Sequence, residues 1–350
     1  MKIQHIILTI GMVMMPFLPC AATDFFFRTI DAKDGLADNL VRDISRDTYG
    51  YVWFSTINGL SRYDGYRLIN YMPLQFGGNA NDVTAVRETA DSTLWMVSVN
   101  NLFTYDRVKD TWQKDGITRL TKLGIEGVMT FFYVDDRRNL WVATETGLYH
   151  YDYLQHKLQH FSNYSRSAIG HIVSKNGTTL VVTTDYKIYE VAQKENRLIL
   201  IAQAPLESYN RDSKVYLDNH MNLWVFNSHS QAGSQWQMSL QTRQWRQLTE
   251  LQQLGNAHVN AIAEDNDGYL WIGTGNADIH IFSYLNEGLR AYMSTKAFLP
   301  HSSHISCFFL DDNNTMWVGS SKLGVAFTDL NSPRFNHVST GDYEDVSSFV

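Results

Sequence analysis

The chain of 350 residues has two cysteines, Cys20 and Cys307. One of them lies in an N-terminal leader, so no disulfide framework can form and the fold must rest on packing. Charged residues make up 19%, the net charge is -7, and no lysine–arginine run occurs. That balance argues against nucleic acid as a partner, because phosphate contact needs clustered basic groups. Past the leader, no apolar run approaches the ~20 residues that cross a bilayer as a helix. No long segment there follows the 3.6-residue period, so few helices are expected. A Gly-x-Ser-x-Gly elbow, a phosphate loop and a Cys-x-x-Cys pair are all missing. The commonest nucleophile, nucleotide and redox motifs are thereby removed.

Aromatic residues are plentiful at 13%, and a phrase recurs. Its fullest copy is Val41-Arg42-Asp43-Ile44-Ser45-Arg46-Asp47, Gly50-Tyr51-Val52-Trp53-Phe54-Ser55-Thr56 and Gly59-Leu60-Ser61-Arg62-Tyr63-Asp64-Gly65. Trp53 returns as Trp95, Trp141, Trp224, Trp271 and Trp317, and 264 residues separate first from last, six steps of 44. A strand-rich period of ~40–50 residues marks a β-propeller. Each copy reads as four strands. Strand a is apolar and alternating, Asp-x-x-Gly makes a turn, strand b carries the tryptophan, and Gly-Leu opens strand c, which ends at Tyr-Asp. A last alternating run such as Arg67–Tyr71 is strand d. The expected fold is all-β, a seven-bladed propeller of four-stranded antiparallel blades over residues 23–340. The copy Ile169–Glu190 has no tryptophan, and the fifth is irregular. The in-phase tryptophans are expected to fill the wedges between blades, each burying ~150–250 Å². Trp112 and Trp245 fall where strand d is expected.

Residues 1–22 read as an export signal: Lys2, an apolar stretch from Ile6 to Leu18, then Cys20-Ala21-Ala22. Lipidation at Cys20 is the lesser alternative, disfavoured by Pro19. Cys307 should be a buried small hydrophobe in strand a of blade seven. Phe25–Ile30 and Phe335–Ser339 both look like a strand d, one more than a ring needs. Either the first closes blade seven, or it serves another partner. Residues 341–350 read as the start of a truncated eighth repeat, so the chain is expected to be a fragment, or a product that stops where a second propeller would begin.

The phrase Gly35-Leu36, Asp47-x-x-Gly50-x-Val52-Trp53-Phe54-Ser55-Thr56 and Gly59-Leu60-Ser61-Arg62-Tyr63-Asp64-Gly65 resembles the two-component regulator propeller repeat. That repeat is typical of the periplasmic sensor region of hybrid two-component histidine kinases in Bacteroides-type bacteria. The resemblance covers Phe25 to Val350, well in blades one, three, six and seven and poorly in four and five. It implies two propellers, a membrane helix and a kinase in a longer parent, a homodimer, and oligosaccharides as the sensed ligand regulating polysaccharide-utilisation genes. No kinase, receiver or membrane helix is visible in this chain. The alternatives are a standalone secreted protein-interaction scaffold and, further off, a carbohydrate-processing propeller enzyme.

In an a–b–c–d blade, the b–c and d–a loops share one face, and they vary most between copies. They supply Asn58, Asn100, Glu145, His229, Asn276, Asp278 and Lys322, with Asp38, Asn39 and Asp82 from the d–a side. Trp236 ends the longest excursion, and Arg42 and Arg87 on strand a can project toward the central channel. Amides, carboxylates and aromatics suit sugar hydroxyls. The ligand-binding set is therefore Arg42, Asn58, Arg87, Asn100, Glu145, His229, Trp236, Asn276 and Lys322. No catalytic residue, cofactor or metal is expected. Asp265-Asn266-Asp267-Gly268 resembles half a calcium loop but lacks the distal Glu. His156 and His160, four apart near strand d of blade three, would share a strand face without further zinc ligands nearby.

Overall fold

Every repeat becomes one four-stranded antiparallel sheet with strands in chain order. In this computed structural model the described residues are 25–162, 167–206, 213–227, 235–254, 258–285, 288–298 and 303–332. The leader, His229, the run 335–339 and the tail 341–350 lie outside them. Blade one comprises strands Val41–Arg46, Val52–Thr56, Gly59–Tyr63 and Leu68–Tyr71. The innermost strands of the other six begin at Val83, Met129, Ile169, Ser213, Val259 and Ile305. Each inner strand touches the next around the ring, and the seventh touches the first. Phe26–Ser332 form one compact unit.

The ring closes through the N-terminal segment. Arg28–Ile30 pairs antiparallel with strand c of blade seven, Val325–Asp329, and supplies that blade's fourth strand. Of the two readings left open by the sequence, the closing one holds.

The Asp of Asp-x-x-Gly has two tasks. In blade one, Asp47 Oδ1 accepts the backbone N–H groups of Tyr49 and Tyr51, each at 3.0 Å, and shapes the turn. Its Oδ2 accepts the indole N–H of Trp53 at 3.0 Å. The same Asp–Trp bond joins Asp135 to Trp141, Asp218 to Trp224, Asp265 to Trp271 and Asp311 to Trp317. Blade two substitutes the hydroxyl of Thr89 for its Trp95. Blade four puts Leu180 at the tryptophan position, and Leu180 is fully buried. A buried indole would otherwise leave a donor unmade, at about 1–3 kcal/mol. The fourth turn residue is left-handed in all seven blades, yet glycine fills it in only three: Gly50, Gly177 and Gly268.

Each tryptophan packs between blades, as expected. Trp53 sits with Leu60 and Tyr71 of its own blade and with Val86, Met96 and Trp112 of the next. Strand a carries a β-bulge after its first residue in six blades, blade five excepted. The extra residue lets Val41 and Ile44, three apart, both be buried, a spacing that a regular strand could not give.

Among the described residues there is one α-helix, Gly116–Lys122. It follows the three-residue outer strand of blade two and lies against strand c, Asn101–Asp106. Thr111–Gln113 pairs only with Thr104–Asp106, so the helix shields the rest of an open edge. Its contact is close, because a Cβ on Gly116 would meet the Leu102 carbonyl at 2.6 Å.

Candidate ligand-binding face

Antiparallel blades place the b–c and d–a turns on one face of the ring. Two candidate residues converge there, at the junction of blades one and two. Arg42 occupies the bulge of strand a and forms a bidentate pair with Asp82 of the next blade, Nε to Oδ1 at 2.7 Å and NH2 to Oδ2 at 2.8 Å. Beside it, the Asn81 amide donates to Asn58 Oδ1 at 3.4 Å. Arg42 and Asn58 are exposed, and Asn81 and Asp82 are half-buried. The cluster is a shallow row of planar hydrogen-bonding groups spanning two blades.

The remaining candidates are dispersed. Asn100, Glu145, Asn276 and Lys322 are exposed on the b–c turns of blades two, three, six and seven. Asn100 takes a left-handed φ of 55° that its turn requires. Glu145 accepts the backbone N–H of Val128 and so holds the neighbouring d–a loop. Trp236 opens strand c of blade five and is half-buried.

Arg87, on strand a of blade two, has its charge engaged. It pairs bidentately with Asp43 at 2.5 and 2.9 Å. Burial works to lower its pKa, and the Asp43 carboxylate outweighs that, so the guanidinium is held above its ordinary value. Lys214 crosses the channel from blade five and donates to the carbonyls of Asn260 at 2.7 Å and Ser306 at 3.0 Å. Those two are bulge residues of blades six and seven. On the far face, Lys175 of blade four reaches Glu264 of blade six at 2.9 Å. Sequence reading missed this channel chemistry. One signal was available: Glu88 and Glu264 share a repeat position, and each accepts the backbone N–H after the preceding blade's turn aspartate, from Thr48 and Asn219.

Two expectations need correcting. Cys307 is half-buried rather than buried, although burial pushes its thiol up to about 12. His156 lies in the c–d turn with φ 50°, outside strand Lys157–Phe161, so it does not share a strand face with His160. His160 stacks on Tyr149 with ring centroids 4.4 Å apart. At the half-calcium loop both Asp265 oxygens are taken, by the Asp267 and Tyr269 amides and by Trp271. No group of three or more His, Cys, Asp or Glu residues placed to hold a metal occurs among the described residues. No helix of the described residues is long and apolar enough to cross a membrane.

A seven-bladed ring built on this turn and tryptophan defines a repeat propeller. The family model of the two component regulator propeller matches residues 35–58 and 253–276, parts of blades one and six. No curated protein matches the chain. Among solved structures it is similar to the extracellular domain of a protein from B. thetaiotaomicron described as a one component system, at 19% identity and TM-score 0.63, over 87% of this chain and 40% of that one. Another from the same organism, described as a hybrid two component system, gives 18% and 0.59 over 87% and 42%. The chain thus spans about two-fifths of the length of these relatives. Virginiamycin B lyase from Staphylococcus aureus gives 12% and 0.61 over 88% and 100%. At such identities the likeness is one of fold, and the ring hosts binding and catalysis alike.

Proposed function

We propose that this chain is an extracytoplasmic sensing propeller whose b–c and d–a face binds an oligosaccharide. The observation that carries the reading is the row Arg42–Asp82 and Asn81–Asn58 across blades one and two. Paired planar donors and acceptors match vicinal sugar hydroxyls, and a pre-formed pair loses little side-chain entropy on binding. The regulator repeats and the extracellular domains of similar fold support a sensory role in the periplasm. The chain itself is non-catalytic on this reading. A second propeller, a homodimer partner and the kinase belong to a longer parent, where ligand shifts the receptor between states and so regulates polysaccharide-utilisation genes.

Calorimetric titration of the purified chain against a library of defined oligosaccharides tests this. A member that binds should lose about tenfold or more in affinity on Arg42→Ala or Asp82→Ala, about 1.4 kcal/mol. Lys157→Ala, exposed at the start of strand d of blade three on the opposite face, should leave affinity within twofold. Uniform silence of the library, or binding indifferent to both blade-one and blade-two substitutions, would refute it.

A further inference from the structure

The helix Gly116–Lys122, in the d–a connection from blade two to blade three, leaves a groove of about 380 Å³ between itself, the a–b turn of blade two and the c–d turn of blade three. Trp95 and Tyr153 form an apolar floor, and Asp91, Asp115, Arg119 and Lys122 stand around it. The two carboxylates are already committed. Asp91 accepts from the hydroxyls of Thr89 and Thr93 at 2.7 and 3.0 Å and from the Thr93 amide at 3.2 Å. Asp115 accepts the Thr104 hydroxyl at 2.5 Å and Arg119 Nε at 2.7 Å. The cations are not equally spent. Arg119 gives its Nε to Asp115, and its terminal nitrogens have no partner among the described residues. Lys122 makes no hydrogen bond or ion pair among them. The groove therefore offers open N–H donors of positive charge, hydroxyls on its walls and an apolar floor.

We propose that this groove is a second binding site, for a small hydroxylated carboxylate of monosaccharide size. Its carboxylate would take the outer nitrogens of Arg119 and the ammonium of Lys122, a charge-assisted contact of the stronger kind. Its polar body would lie along the Thr118 and Thr93 hydroxyls over Trp95 and Tyr153. The groove opens to solvent, so binding is modest and weakens with salt. The site is independent of the oligosaccharide face, because no residue is shared.

The test uses D-glucuronate and D-glucose, which differ in one carboxylate, titrated into the full chain by calorimetry at low ionic strength. Glucuronate should bind saturably with one site per chain, and glucose should not. Lys122→Met should weaken glucuronate at least tenfold, and Arg42→Ala should leave it unchanged. Lys122 is exposed, so its variant should keep the parent melting temperature, which separates lost binding from lost fold. Equal binding of glucose, loss on Arg42→Ala, retention in Lys122→Met, or no saturable glucuronate binding at millimolar concentration would each overturn the proposal.

Discussion

The residue opposite each strand-b tryptophan shows how much one side chain can differ inside a repeat. In blade seven Phe327 stacks on Trp317 at 4.6 Å. In blade three His150 takes that place on Trp141 at 4.1 Å. The Gln159 amide donates to the Gln193 carbonyl, so its oxygen faces the imidazole and His150 Nδ1 is the donor. Nε2 is then bare, buried without a hydrogen bond and 3.8 Å from Asp135 Oδ2. His150→Phe should therefore raise stability by about 1 kcal/mol, measured by urea unfolding. Asp135→Ala should lower it by about 3 kcal/mol, because it orphans an indole and two backbone donors at once. Acid should destabilise the ring for a related reason. Burial lowers the pKa of His171 from 6.5 to about 4. Its contribution is complete above pH 6.5, where unfolded and folded chains both hold it neutral. Between 6.5 and 4 only the unfolded chain takes the proton, so stability falls as pH falls, by on the order of 3 kcal/mol. His171→Phe should flatten that part of the stability–pH curve, and an unchanged slope would remove His171 as its source.

At the scale of the element, the strand phrase was readable and its irregularities were not. Val41 and Ile44 were placed on strand a correctly, yet their spacing fits a strand only once the bulge is known. A bulge leaves no composition mark, since residues as different as Arg42 and Ser306 occupy it. The helix Gly116–Lys122 was equally hidden, being two turns long. What it does is cover an edge and bury Leu120. Leu120→Ala should cost about 2–3 kcal/mol by chemical denaturation. Gly324 has a stricter demand. Its φ is +78°, and a Cβ there would lie 2.3 Å from the carbonyl of Ile30. Gly324→Ala should cost at least about 2 kcal/mol and loosen the closing strand, seen as faster amide exchange at Arg28–Ile30. Unchanged exchange would show the clash relieved elsewhere.

For the whole molecule, the count of blades followed from tryptophan spacing alone, because one repeat cannot bury its faces without neighbours. The proposed ligand face was legible only as a set of variable loops. Of its predicted members, Arg42 and Asn58 meet, through partners Asp82 and Asn81 on the adjoining blade. Arg87 was singled out on strand a, but its tie to Asp43 needs the ring in three dimensions. Lys214 drew no attention, since a lysine looks ordinary in a strand until bulge carbonyls two blades away are seen. Closure predicts cooperativity. Removing the residues up to Ile30 should lower the calorimetric melting temperature and broaden the transition, as blade seven loses its outer strand and Ile30 its buried site.

That closing pair also has a temporal side. Arg28–Ile30 is the earliest strand of the described residues to leave the ribosome, and its mate Val325–Asp329 is the latest. The loop between these two strands is thus sealed only after all seven blades have been made, and long-range pairing of this kind is slow. Until then every growing chain carries an unclosed fan of blades with two raw flanks. A nascent chain can accumulate blades, but the circle cannot lock before the last of the seven is made.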